Sequence, residues 1–127
     1  MTPEQAASLR HFAPEEWRHP EIVDYSFAVY LDNVRDDYGF PIVLTSDGRT
    51  PAENTAAGGV PDSRHLFGQA ADVEFPPTAN HLLMLVEACI KRQVAFPLEL
   101  EIDSRPESPH VHIAWKVPGR AGSLEVH

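Results

Sequence analysis

Two stretches of this 127-residue chain hold side chains that could do chemistry together. One is Ser63-Arg64-His65-Leu66-Phe67-Gly68-Gln69-Ala70-Ala71-Asp72, and the other is His110-Val111-His112. From them come two imidazoles and a carboxylate, His65, Asp72 and His112, a donor set suited to a divalent metal. Zinc takes such nitrogen and oxygen ligands at about 2.0–2.2 Å, and a site with three protein ligands keeps a fourth position open for water. A closed structural zinc site favours four protein ligands and cysteine, and this chain has a single cysteine. The expectation is a catalytic-type Zn²⁺ site.

The remaining candidates carry less. His11 and His19 flank helix ends, His81 falls in a first helical turn and His127 is terminal, so all four are read as solvent-facing. Cys89 sits in an apolar helical pattern and reads as a buried, inert thiol. Arg49, which follows Ser46-Asp47-Gly48 in a loop, could clamp a substrate carboxylate, because its planar fork suits that group.

These residues need elements to hold them. Thr2-Pro3-Glu4-Gln5 is a helix start with a capping box, for a short helix ending near His11. A second helix is expected from about Pro20 to Tyr38, with Val23, Phe27, Leu31, Val34 and Tyr38 in one buried stripe and Gly39 as the stop. A third is bounded by Thr78 and Arg92, with Leu82, Leu85, Val86 and Cys89 inward. Strands are expected at about 41–46, 71–75, 97–103 and 110–116. Alternation gives three of them an apolar face: Ala71, Val73 and Phe75; Leu98, Leu100 and Ile102; Val111, Ile113 and Trp115. Asp72 and Glu74, then Glu99, Glu101 and Asp103, then His110 and His112 fall on the opposite, polar face. So many carboxylates on one face favour a bound cation. The long 47–69 connection, rich in Gly, Pro, Asn and Ser, carries His65 and is expected to be functional.

Bulk properties close off several classes. The chain is 43% hydrophobic and 23% charged, ordinary for one globular domain over 1–127. A net charge of −9 without a basic cluster argues against nucleic acid as partner. No apolar run is long enough to span a bilayer, so membrane insertion is not expected. The N-terminus has no positive segment followed by an apolar one, so no secretory signal is visible. A monomer is expected.

Taken in order, Thr45-Ser46-Asp47-Gly48-Arg49-Thr50, Asn54, Gly58-Gly59-Val60, Ser63-x-His65-x-x-Gly68-x-Ala70-x-Asp72 and Val111-His112 resemble the D-alanyl-D-alanine carboxypeptidase family of zinc peptidases. That family includes phage L-alanyl-D-glutamate endopeptidases and is related to the lysostaphin and murein endopeptidase group. The resemblance covers about 16–116. It implies an α+β fold, a small antiparallel sheet with helices on one face and the zinc site on the other. His65, Asp72 and His112 would bind zinc, with Arg49 and Ser63 as substrate contacts. The substrate would be a peptidoglycan stem peptide, in which an amide bond is hydrolysed by carboxypeptidase or endopeptidase action. Many members carry an acid three residues before the last histidine as general base, and here that position is Pro109. His110 and Glu107 are the candidate catalytic bases, followed by Glu101 and Asp103. The alternative is a catalytically silent, zinc-loaded domain that binds wall peptide or a partner protein. Without an export signal, synthesis in the cytoplasm and action at the wall point to a phage or prophage protein.

Overall fold

The computed structural model describes residues 1–94 and 96–127. Its helices are α1 (Pro3–Ala7), α2 (Tyr25–Tyr38), α3 (Pro51–Ala56) and α4 (Ala79–Arg92). Its strands are β1 (Leu44–Ser46), β2 (Ala70–Glu74), β3 (Leu98–Asp103), β4 (His110–Trp115) and β5 (Ser123–Val126). They form one sheet in the order β1-β2-β4-β3-β5. All neighbours run antiparallel except β3 and β5, which are parallel. The expected antiparallel sheet is therefore mixed at one edge, where β5 adds a fifth strand beyond the four expected.

Capping chemistry sets the helix ends. Thr2 and Gln5 close the capping box on α1, and Thr78 caps α4 by accepting from the His81 amide. α1 stops at Ala7 rather than near His11, because the chain finds another partner there. The buried Asp32 carboxylate accepts from the backbone amides of Arg10, His11 and Phe12 at 2.9, 2.8 and 3.3 Å. α2 begins at Tyr25 rather than Pro20. The Asp24 side chain accepts from Ser26 N and ends the preceding turn, as an N-cap does. Val23 is buried with the α2 stripe although it lies outside the helix, which is why its spacing extended the pattern too far.

The apolar faces of β2, β3 and β4 pack beneath α2 and α4. Phe27, Leu31, Val34 and Leu85 from the helices and Leu100, Val111, Ile113 and Trp115 from the sheet are almost wholly buried. Phe27 meets Trp115 edge-on with ring centres 5.3 Å apart. The Tyr30 hydroxyl donates to the Cys89 carbonyl at 2.7 Å and ties the two helices together. Leu82 and Val86 are only partly buried, at the margin of this core.

On the other face the 47–69 connection carries a helix and a 3₁₀ turn of its own. Thr50 and Glu53 form a second capping box for α3, and Ser63 caps a 3₁₀ turn over Arg64–Phe67. Gly68 ends that turn at φ +68, and a Cβ there would lie 2.0 Å from the Ile22 carbonyl oxygen. Only glycine meets both demands. The turn is thus pressed against the Ile22–Asp24 backbone, where the Asp24 amide donates to the Gly68 carbonyl at 3.0 Å, and it carries His65.

Candidate metal centre

The β2–β4 register places Asp72 directly opposite His112. Both point to the polar face, as strand alternation requires. His65 reaches the same spot from the 3₁₀ turn, and is 97% buried, at 3% exposure. One ligating atom from each of His65, Asp72 and His112 lies within 4.8 Å of the others. His65 Nε2 is 3.5 Å from Asp72 Oδ2. Donors bound at 2.0–2.2 Å in a tetrahedron stand about 3.4 Å apart, so this pair already has the required spacing.

Both imidazoles are tied through their other nitrogen. His65 Nδ1 donates to the Asp47 carbonyl at 2.6 Å, which leaves Nε2 as the nitrogen that could ligate a metal. His112 Nε2 donates to Glu99 Oε1 at 2.9 Å, while its Nδ1 faces Asp72 Oδ1 at 2.8 Å. Asp72 also receives the Arg49 guanidinium at 3.3 Å. Burial opposes ionisation of Asp72, yet hydrogen bonds from His112 and His65 hold its carboxyl well below the usual range. Burial likewise disfavours the His112 imidazolium, but its bonds to Asp72 and Glu99 prevail and raise it to about 9. Without a metal, protons and Arg49 balance the carboxylate. The donor set of two imidazoles and one carboxylate fits a zinc ion taking that place.

The trio opens into a cleft of about 730 Å³, lined by Arg49, Ser63, Glu99, Glu101 and His110 among others. Arg49 is held by Ser46 Oγ at 3.2 Å and by Asn54 Oδ1 at 3.4 Å. Asn54 in turn donates to the Val60 carbonyl at 2.8 Å, fastening the cleft wall. Ser63 accepts from His65 N at 3.3 Å, so its hydroxyl supports the turn that carries His65, and the residue also lines the cleft. His110 Nδ1 donates to the Ser108 carbonyl at 2.7 Å. That bond occupies Nδ1, so Nε2 is the ring nitrogen left for proton transfer. Glu107 is exposed on the turn before β4 and is not among the residues lining the cleft. Asp103 is engaged by Arg105 and lies outside it too.

None of His11, His19, His81 or His127 lines this cleft. His19 and His81 are nevertheless half-buried rather than free in solvent: His19 contacts Glu21 and Glu53, and His81 lies against Phe40. Two residues of the centre had no assigned role in the sequence reading, Asp47 and Glu99. Glu99 was visible as a polar-face residue of its strand, but its partner depends on register. The Asp47 contribution is a backbone carbonyl and leaves no trace in residue type.

A family model described as Peptidase M15 matches residues 12–113. No curated protein matches the chain.

Proposed function

Because this chain belongs to the Peptidase M15 family, whose zinc metallopeptidases are hydrolases, we propose that it cleaves an amide bond in peptidoglycan stem peptides. The observation that carries the reading is the convergence of His65, Asp72 and His112 at the floor of an open cleft. A zinc ion held by these three would polarise the scissile carbonyl and lower the pKa of water to about 7. His110 would take the proton at Nε2 and return it to the leaving amine, the work of a general base and then acid. Arg49 would turn from Asp72 toward a substrate carboxylate, since the metal would neutralise Asp72. Ser63 would offer a hydroxyl to the peptide at the cleft wall.

The carboxylate bound by Arg49 decides between carboxypeptidase and endopeptidase action. A terminal D-Ala carboxylate would indicate the first, and the D-Glu α-carboxylate the second. The route to the wall is proposed to be that of a phage or prophage protein. No helix among the described residues is long and apolar enough to cross a membrane.

The test is mass spectrometry of products from defined muropeptides, with each carboxylate amidated in turn. One amidation should slow cleavage and also erase the difference between wild type and Arg49→Lys, because lysine lacks the bidentate fork. The charge-assisted contact is worth roughly 1.5–3 kcal/mol, about ten- to a hundredfold in rate. If neither amidation matters, the carboxylate clamp is wrong. Peptide binding without any new amine end would refute hydrolysis.

A further inference from the structure

On β3, Glu99 stands directly opposite Ala114 of β4, with His112 two residues further along the same face. Ala114 offers only a methyl group, so the longer Glu99 side chain is free to lean diagonally. Diagonal neighbours in an antiparallel pair lie about 7–8 Å apart, within reach of a long side chain. The Glu99 carboxylate does reach, and meets His112 Nε2 at 2.9 Å. The Glu99 side chain is 29% exposed and the His112 side chain 14%, so the contact is sheltered rather than a solvated surface pair. Among the described residues, His112 is the one ion-pair partner of Glu99.

From this geometry we propose that Glu99 is a positioning residue for the metal centre. It holds the His112 ring so that Nδ1, rather than Nε2, is presented beside Asp72. The inference rests on the zinc centre described above. A metal-bound imidazole that donates its remaining N–H to a carboxylate has a fixed orientation and a more basic ligating nitrogen. His65 receives the corresponding restraint from the Asp47 backbone carbonyl. Of the two restraints, only that from Glu99 depends on side-chain identity. Substitution of Glu99 can therefore loosen the centre without removing a ligand.

The experiment measures zinc dissociation constants of the purified full chain by chelator competition, for wild type, Glu99→Gln and Glu99→Ala. Circular dichroism of each metal-free form checks the fold. Cobalt(II) replaces zinc in parallel samples, and its visible spectrum reports the ligand field. Loss of such an outer carboxylate typically costs about 10–100-fold in metal affinity. Glu99→Gln keeps an acceptor but not the charge, so it should lie near the low end of that range and Glu99→Ala near the high end. The cobalt spectrum should change in both. Wild-type affinity and spectrum in both variants would overturn the assignment. Should hydrolysis then be lost as well, Glu99 would be a catalytic group instead. A wild-type chain that binds no zinc would overturn the metal centre itself, an outcome distinct from either.

Discussion

At the scale of single residues, His110 lines the cleft and Glu107 does not. Nδ1 of His110 is spent on the Ser108 carbonyl, which leaves Nε2 as the ring nitrogen for proton transfer. His110→Ala should therefore retain zinc and fold but lose turnover roughly 10²–10⁴-fold, the usual contribution of a general base. Glu107→Gln should turn over at the wild-type rate. The reverse pattern in steady-state kinetics would move the base to Glu107, and near-normal rates in both would move it to Glu101. His112 adds a pH dependence. Its value in the metal-free chain is raised to about 9, so the proton-bound form is the stabilised one. That stabilisation is complete below the ordinary histidine value near 6.5 and is lost as pH rises through about 9. Zinc must displace the same proton, so its affinity should climb across this window. Competition titrations at pH 6, 7, 8 and 9 would show it, and a flat profile would rule out His112 as a ligand. Cys89, which burial pushes up to about 12, stays a protonated thiol throughout.

At the scale of elements, alternation along β2 and β4 was enough to put Asp72 and His112 on the same polar face. The capping residues Thr2 and Thr78 marked two helix starts correctly. What stayed hidden required long-range pairing. Asp32 draws three distant amides away from α1, and Glu99 needs the β3–β4 register before it can be linked to His112. β5 pairs in parallel with β3 through a connection that leaves no local mark. The 47–69 segment is a different case. Its Thr50-Pro51-x-Glu53 repeats the capping pattern of Thr2-Pro3-x-Gln5, so the start of α3 is legible in the sequence. This segment also yields a sharp prediction. Gly68→Ala would place a methyl 2.0 Å from the Ile22 carbonyl at a positive φ. The left-handed conformation alone costs about 1–2 kcal/mol, and the turn must also move. Zinc affinity should fall further than the melting temperature implies, because His65 rides on that turn. Full zinc affinity in a destabilised Gly68→Ala chain would show that the turn and the ligand are not coupled.

At the scale of the whole molecule, the sheet separates two tasks. One face buries Trp115, Ile113 and Phe27 in a hydrocarbon core, and the other gathers ionisable groups around a cleft. A ligand that binds only the folded state stabilises it by mass action, about 4 kcal/mol at a thousandfold excess over Kd. Zinc should therefore raise the melting temperature by roughly ten to twenty degrees and a chelator should reverse it. Although the chain carries a net charge of −9, Arg49 stands as a cation beside the trio, 3.3 Å from Asp72. The most direct measurement titrates zinc into the chelated chain while following new amine ends from a defined muropeptide. Hydrolysis should rise in proportion to bound zinc and saturate at one ion per chain, with His65→Ala, Asp72→Ala and His112→Ala failing both to load and to cleave. Cleavage that persists in chelator, or one tightly bound zinc per chain with no new amine ends, would contradict it.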